Sequence, residues 1–345
     1  MGEVLEVIPL NDAVTYLDDS FRQQIKPTAL EFLRQLNGLT VFDIKGIDSS
    51  RTRVVTTLIH GNEPSGFIAS HLWLRSESTP QTNLRIIICN PETAQAKPIF
   101  TNRYVGSNGD LNRFFGSKDL NSAVALRAQK ITDAVKDVSP ESVLDLHNTS
   151  GASPAFAVAV SDDKKTKNLV SLFTEKLIFT GLHVGAIMEQ DFDCPIATIE
   201  CGGASEVYSH QVATDGLHRY FTKEYLYDAN STRVKVHRHP IRIELRDDAS
   251  VGFSHHRLPT TDITLRADIE ELNRQHTEKG EFLGWYSEEH QNSLQAIDES
   301  GNDRIDELFE FNNGCIFVRQ NLQFFMVTTV PEIATNDCLF YLTIE

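Results

Sequence analysis

Runs of β-branched and aliphatic residues alternate with amphipathic segments through the first 200 residues, and this alternation limits the possible fold more than any other feature. The apolar runs lie at residues 39–44, 53–59, 84–89, 142–146, 155–160 and 195–199. Apolar residues at helical spacing lie between them, at 65–74 and 122–138. The pattern predicts an α/β fold in which a mostly parallel mixed sheet is flanked by helices.

Two local predictions concern the N-terminal part of the chain. Apolar residues at helical spacing predict helix up to about residue 37, with a break at Pro27. The runs 39–44 and 53–59 are separated by a short stretch that contains Gly46 and Asp48, which predicts that they pair as a β-hairpin.

The chain has 345 residues, 40% of them hydrophobic, which is enough for two domains with substantial cores. The alternating part and a helical stretch at 206–228 predict an α/β domain over residues 1–232. Short strands and turns follow, and they predict a smaller, mostly β domain over residues 233–345.

Composition and sequence patterns argue against several classes of partner, although a local basic pocket within an acidic surface stays open. The net charge of −16 argues against a nucleic-acid or anionic-membrane surface. No stretch approaches the length of a membrane span, and the N-terminus lacks a basic region followed by an apolar run, so a cytoplasmic location is expected by default. The five cysteines form no C-x-x-C pair, which indicates neither a disulfide framework nor a cysteine-type zinc site.

His60 is the only histidine with a glutamate three residues later, and the pair His60 and Glu63 follows the apolar run at 53–59. Imidazole and carboxylate are zinc ligands, and a third protein ligand leaves a fourth position for a reactive water. Because a dozen histidines give about one such spacing by chance, the pair needs support from other residues.

His147 is the candidate third ligand. It lies two residues after Asp145, so in a strand the two side chains face the same way. Asp145 is then placed to accept a hydrogen bond from the outer nitrogen of a ligand histidine, either His60 or His147. The alternative for His147 is packing at a strand end, which is the commoner fate of a lone histidine.

Four predicted strands end in polar residues, namely His60, Asn90, His147 and Glu200. Ligands of open α/β sheets bind beyond the carboxyl ends of the strands, so one location accounts for all four. Partial desolvation raises the pKa of a carboxyl group such as Glu200 and suits it as a general base, with a solvated strand-end acid as the alternative. Cys201 faces away in an alternating strand, which disfavours a thiol nucleophile.

The long segment 91–116 is predicted to be a functional loop. Arginine matches carboxylates with a planar fork, so Arg113 with Asn112 can clamp a substrate carboxylate. Arg103 can polarise a carbonyl and stabilise its oxyanion. Asp110 is expected to brace the loop, and the alternative for both arginines is a role as surface charges.

These residues resemble, in order, the signatures of the succinylglutamate desuccinylase and aspartoacylase family, which is related to the zinc carboxypeptidases. The matching motifs are His-Gly-Asn-Glu at 60–63, Asp-Leu-Asn-Arg-Phe-Phe at 110–115, Asp-Leu-His-Asn-Thr at 145–149 and Ile-Glu-Cys-Gly at 199–202. The resemblance covers roughly residues 54–203 and is looser in the C-terminal β part.

The resemblance implies one zinc ion per chain, held by His60, Glu63 and His147. It implies Glu200 as general acid and base and Arg103 at the scissile carbonyl. It also implies that Asn112 and Arg113 hold the carboxylate of a small N-acyl amino acid, whose amide is hydrolysed by Glu-assisted attack of zinc-bound water.

One departure leaves the acyl group open. Aspartoacylases carry an arginine shortly before the catalytic glutamate, but residues 177–200 of this chain contain neither arginine nor lysine. Two alternatives remain, a zinc carboxypeptidase that acts on peptides and a non-catalytic zinc-binding protein. The substrate partner is expected to be a small molecule, with no nucleic acid and no membrane, and an oligomer is possible.

Overall fold

A computed structural model describes residues 10–11, 13–104, 109–227, 233–246, 248–287, 293–336 and 338–344. The chain divides into two compact units. Unit 1 takes its residues from 1–148, 155–177 and 183–236, and unit 2 takes its residues from 149–154, 178–182 and 237–345. The predicted domains 1–232 and 233–345 stay a prediction, because a compact unit need not fold independently.

A nine-stranded sheet contains β1 (Thr15–Asp18), β2 (Thr40–Ile44), β3 (Asp48–Thr57), β4 (Thr82–Ile88), β5 (Ser142–Thr149), β6 (Phe156–Ala159), β7 (Lys176–Phe179), β8 (Ile196–Gly203) and β9 (Lys235–Arg238). The strand order is β1-β2-β4-β3-β5-β8-β6-β7-β9. The pairs β1–β2, β3–β4 and β3–β5 are parallel, whereas β2–β4 and β6–β8 are antiparallel. The sheet is therefore mixed.

Helices flank this sheet, and they are α1 (Ala29–Leu33), α2 (Ser65–Arg75), α3 (Pro91–Gln95), α4 (Ala123–Lys136), α5 (Lys164–Val170) and α6 (Val207–Thr222). Alternate side chains of the central strands enter two separate cores. Val55 and Leu144 pack in one core with residues of α2 and α6, whereas Val54 and Val143 pack in the other with residues of α4. Burial on both faces explains why these strands are continuous apolar runs.

Local signals agree with the helix boundaries. The Ser122 hydroxyl accepts a hydrogen bond from Ala125 N at 3.1 Å and starts α4 at the predicted place. A capping box between Thr28 and Glu31 starts α1. Short 3-10 helices lie at Asp19–Gln24, Leu111–Arg113 and Ile187–Glu189.

The predicted hairpin of residues 39–44 and 53–59 is wrong, because β4 lies between β2 and β3 and pairs with both. Gly46 explains the difference. A Cβ atom at Gly46 would lie 2.0 Å from the carbonyl carbon of Thr82, so the glycine permits close contact with the start of β4. The chain after β2 then runs beside residues 80–83, with Asp48 N donating to Gln81 O at 2.9 Å.

The helix predicted up to residue 37 is wrong at Thr15–Asp18, which is strand β1, whereas α1 (Ala29–Leu33) confirms helix after the predicted break at Pro27. Residues 1–9 and 12 of that prediction lie outside the described residues. Apolar residues four positions apart occur here because β1 extends the sheet beside β2 and the following short 3-10 helix turns Phe21 towards the core.

The C-terminal part contains two five-stranded sheets. One has the order β13-β18-β19-β10-β15 and the other β11-β12-β14-β17-β16. The strands are β10 (Ile241–Leu245), β11 (Val251–Ser254), β12 (Ile263–Arg266), β13 (His276–Thr277), β14 (Phe282–Tyr286), β15 (Leu294–Ile297), β16 (Phe309–Asn312), β17 (Cys315–Val318), β18 (Leu322–Phe325) and β19 (Phe340–Ile344), with helices α7 (Ile305–Leu308) and α8 (Pro331–Asn336) and a 3-10 helix at Ile269–Asn273. Residues of both sheets share one core.

These elements confirm the predicted fold class, an α/β fold whose mixed sheet is flanked by helices, with further β sheets in the C-terminal part. No helix in the described ranges has both the length and the apolar character needed to cross a bilayer.

Candidate metal centre

Three buried side chains converge on one point, two of them after the end of β3 and the third near the end of β5. His60 Nδ1 lies 2.8 Å from Glu63 Oε1, and His147 Nδ1 lies 2.6 Å from Glu63 Oε2. One nitrogen or oxygen atom of each residue lies within 4.8 Å of those of the others. The structure therefore brings together the three residues that the sequence predicts as metal ligands.

The turn that carries His60 and Glu63 depends on Gly61. A Cβ atom there would lie 2.7 Å from Asn102 O and 2.7 Å from Ala94 N. Only glycine permits this close approach without moving the neighbouring backbone. The turn is thus held against the segment that leads to Arg103, and Gly61 N donates to Arg103 O at 3.2 Å.

A carboxylate holds the outer nitrogen of each histidine. His60 Nε2 contacts Asp110 Oδ1 at 2.8 Å, and His147 Nε2 contacts Asp145 Oδ2 at 2.6 Å. A histidine that donates Nε2–H to a carboxylate presents the lone pair of Nδ1 on its other side. Both Nδ1 atoms face Glu63, so the donor set of two imidazoles and one carboxylate fits a zinc ion.

Electrostatics favours a positive charge among these groups. Burial raises the pKa of Glu63, but the charges of His60 and His147 outweigh it and lower that pKa below its ordinary value. Burial lowers the pKa of His147, yet Asp145 and Glu63 raise it well above the usual range. The acidic surroundings therefore suit a cation at the point between the three side chains.

Glu200 lies on β8, next to β5, and is almost completely buried. Burial, with a smaller contribution from the charge of Glu63, raises the pKa of Glu200 to about 7, although the charge of His147 opposes the shift. Its Oε2 atom has no hydrogen-bond partner among the described residues. A buried carboxyl group with one unused oxygen and a pKa near neutrality can accept and return a proton.

Arg103 lies beside the three side chains. Its Nη1 donates to Glu63 Oε1 at 3.1 Å, and its Nη2 donates to Asp110 Oδ2 at 3.0 Å. Asp110 also accepts from Asn112 N at 2.9 Å, so it supports the loop as well as His60. Burial raises the pKa of Asp110, but His60 and Arg103 lower it far below the usual range, which keeps Asp110 a carboxylate.

Asn112 and Arg113 are positioned by a turn at residues 184–189. Asn112 Oδ1 accepts from Ile187 N at 3.0 Å, and Phe115 N donates to Gly185 O at 3.0 Å. Arg113 Nη1 is 4.0 Å from Asp110 Oδ2 and donates to Asn112 O at 3.1 Å. The Asn112 side chain is therefore directed partly at the protein itself, and its amide nitrogen is the atom that can donate to a substrate.

Cys201 and Asn90 were also singled out from the sequence. Cys201 is buried in the core with its pKa raised well above the ordinary value by burial, which disfavours a thiolate nucleophile. Asn90 starts α3, and its Oδ1 has no hydrogen-bond partner in the part of the chain that the structure describes.

Sequence reasoning missed two contributions. Asp110 was expected only to brace its loop, but it also holds the outer nitrogen of His60. Asn148 was not considered, although it directly follows His147 and its backbone N–H donates to Glu63 Oε2 at 3.2 Å. Asn148 could have been identified from the sequence because it directly follows the candidate ligand His147. Nothing in the sequence indicates that Asp110 contacts His60.

Several solved structures share the fold. A succinylglutamate desuccinylase/aspartoacylase from Rhodobacter sphaeroides is 12% identical, with 88% of each chain covered and a TM-score of 0.56. A succinylglutamate desuccinylase from Silicibacter sp. is 15% identical, with 88% of each chain covered and a TM-score of 0.55. Murine aminoacylase 3 is 15% identical, with 86% of this chain and 96% of that chain covered and a TM-score of 0.54.

No curated protein has significant sequence similarity to this chain. Residues 49–214, however, match the family model described as the succinylglutamate desuccinylase/aspartoacylase catalytic domain. This range contains His60, Glu63, Arg103, His147 and Glu200. Residues 49–214 therefore belong to the catalytic domain of the succinylglutamate desuccinylase/aspartoacylase family.

Proposed function

We propose that this protein is a zinc-dependent amidohydrolase that removes the acyl group from a small N-acyl amino acid or a related amide. The observation that carries the proposal is the His60, Glu63 and His147 cluster, in which both histidines present Nδ1 to the same carboxylate. The family agrees with it, because the names desuccinylase, aspartoacylase and aminoacylase all describe the removal of an acyl group.

His60, Glu63 and His147 would hold the zinc ion. When bound, zinc polarises a carbonyl group and lowers the pKa of water to near 7. Asp145 and Asp110 keep the ligand histidines in the tautomer that leaves Nδ1 unprotonated.

Glu200 would move the proton. With a pKa of about 7, it takes a proton from the water that attacks the scissile carbonyl and gives it to the departing nitrogen. Arg103 would donate a hydrogen bond to the carbonyl oxygen as negative charge develops there, and its contact with the proposed ligand Glu63 supports this role.

Asn112 and Arg113 would bind the carboxylate of the amino-acid part. Arg113 supplies the charge, and the amide nitrogen of Asn112 supplies a second donor. The family's arginine before the catalytic glutamate has no counterpart in residues 177–200, so the proposal extends to the reaction class and not to one acyl group.

The test combines metal analysis with hydrolysis of a panel of N-acetyl, N-succinyl and other N-acyl amino acids, and of short peptides. We expect about one zinc ion per chain and chelator-sensitive release of an amino acid. Hydrolysis of peptides alone would favour a carboxypeptidase, and zinc without any turnover would favour a non-catalytic zinc-binding protein.

Two pairs of variants assign the roles. We expect His60→Ala to lose zinc, whereas His71→Ala, which removes a buried histidine that contacts Lys26 O, keeps it. Glu200→Gln should keep zinc and lose about 10²–10⁴-fold in kcat. A fully active Glu200→Gln protein would contradict the proposed mechanism.

A further inference from the structure

Asn148 joins the three chain segments that carry the proposed ligands and base. Its Nδ2 donates to Ser65 Oγ at 2.8 Å and to Gly202 O at 2.9 Å, and its Oδ1 accepts from Ser65 N at 3.0 Å. Both protons of the amide and its oxygen are therefore used, and the residue is almost completely buried.

Each residue of this network lies one or two positions after a proposed metal ligand or the proposed base. Ser65 lies two residues after Glu63, Asn148 follows His147, and Gly202 lies two residues after Glu200. The three segments belong to the start of α2, the end of β5 and the end of β8. A single amide group thus links the backbone next to two metal ligands with the backbone next to the base.

Two glycines make these contacts possible. A Cβ atom at Gly66 would lie 2.6 Å from Leu146 Cβ and 2.5 Å from Thr57 Oγ1, so glycine lets α2 approach the strand ends. Gly202 has a φ of 109°, a conformation that other residues rarely adopt. The carbonyl oxygen of Gly202 accepts from Asn148 in this conformation.

A fourth segment supports Ser65. Because Ser65 Oγ accepts from Asn148, its own proton is available to His210 Nδ1, which lies 2.8 Å away on α6. α6 follows β8, so the chain of contacts Asn148–Ser65–His210 returns to the segment that carries Glu200.

We infer that Asn148 is a positioning residue, which sets the distance between the metal ligands and Glu200 through Ser65 and Gly202. This inference rests on the proposed function. A buried amide with all its hydrogen bonds made holds its partners in one arrangement, and its loss leaves buried backbone groups without partners. Groups that orient metal ligands from outside typically change metal affinity about 10–100-fold when removed.

The experiment compares Asn148→Ala and Asn148→Asp with wild type. Aspartate keeps the size and the acceptor for Ser65 N but loses both donors and adds an ionisable group, so it tests the loss of the two donors without leaving a cavity. Asn168→Ala is the matched control, because Asn168 is a buried asparagine on α5 outside the cluster. The measurements are zinc affinity by chelator competition, the visible absorption spectrum with Co²⁺ in place of zinc, kcat and KM, all below the unfolding temperature of each variant.

We expect both Asn148 variants to bind zinc about 10–100-fold more weakly and to change the Co²⁺ spectrum, with kcat falling at least 10-fold and KM changing less. Asn168→Ala should lower thermal stability and leave the metal properties unchanged. Asn148 variants that lose only thermal stability would overturn the inference and leave the proposed function intact. A wild-type protein that binds no metal would contradict both.

Discussion

Asp145 and Asp110 hold the two histidines in different ways. Asp145 is fully buried on β5 and also accepts from Thr56 Oγ1 on β3 at 2.7 Å. Asp110 lies in a loop, is partly exposed and shares its oxygens with Arg103 and Asn112. A buried carboxylate with rigid partners orients its histidine more strictly than a loop carboxylate does.

This difference predicts unequal effects of the same change. We expect Asp145→Asn to weaken zinc binding about 10–100-fold. The substitution replaces the carboxylate that holds His147 Nε2 with an amide, and the described residues offer this nitrogen no other partner. Asp110→Asn should have a smaller effect on zinc affinity. Chelator competition measures both, and equal affinities for the two variants would contradict the argument.

Glu200 is expected to make the metal-free protein less stable at high pH. Its folded pKa of about 7 is above the ordinary value of 4.5, so the stability it contributes is present below pH 4.5 and is lost as the pH rises through 7. The size of the shift corresponds to about 3 kcal/mol in the free energy of unfolding at most.

Glu200→Gln removes this titration. In chelator-treated protein, we therefore expect the variant to unfold at a higher temperature than wild type at pH 8.5 and at nearly the same temperature at pH 5. Thermal unfolding across this range is the measurement. A difference between the two proteins that does not vary with pH would show that Glu200 titrates normally.

At the scale of elements, the turn at 184–189 and the 3-10 helix Leu111–Arg113 form one assembly. The Glu189 carboxylate accepts from Val184 N at 2.9 Å and from Ala186 N at 3.0 Å, which closes the turn. Gly185 has a φ of 80°, and a Cβ atom there would lie 2.4 Å from Arg113 O. The position of Arg113 therefore depends on a glycine 72 residues away in the sequence.

Gly185→Ala should move the backbone at Arg113 and raise KM about 10-fold or more for a substrate with a carboxylate, while zinc affinity stays close to wild type. Gly280→Ala is the matched control, because Gly280 also has a positive φ of 91° but nothing within 4 Å of the added Cβ. Equal KM values for the two variants would mean that Arg113 does not bind the substrate.

At the scale of the whole molecule, the two compact units do not divide the chain at one point, because unit 2 takes its residues from three separate segments. Unit 2 includes residues 149–154, which directly follow Asn148. Within unit 2, Glu270 accepts from Ala152 N at 3.1 Å and from Thr329 N at 2.8 Å, and Asn273 Nδ2 donates to Ala152 O at 2.9 Å. A boundary at residue 232, placed where the sequence pattern changes, takes no account of such contacts between distant segments.

Zinc should stabilise the whole protein. A ligand that binds only the folded state at 100 times its Kd adds about 2.7 kcal/mol to the free energy of unfolding. We expect the unfolding temperature of wild type to rise with zinc and to fall with chelator, while Mg²⁺ at the same concentration has little effect because it prefers oxygen ligands. An unfolding temperature that does not respond to zinc would contradict a zinc site at His60, Glu63 and His147.

The amino-acid sequence alone was sufficient for the fold class and for the residues that meet at the strand ends. Continuous apolar runs indicate strands buried on both faces, and polar residues directly after such runs must lie at an edge of the sheet. His60, Glu63, His147 and Glu200 were identified in this way because the chemistry of a side chain and its distance from a strand end are local properties.

Only folding determines which strands are neighbours and which atoms touch. β4 separates β2 from β3 because Gly46 packs against Thr82, and Asp110 reaches His60 across 50 positions of the sequence. Hydrogen bonds of this kind depend on distances between residues far apart in the chain, which no local pattern encodes. Only the tertiary structure therefore showed the partners of His60 and the hydrogen bonds of the Asn148 side chain. It also showed that residues 149–154 belong to unit 2.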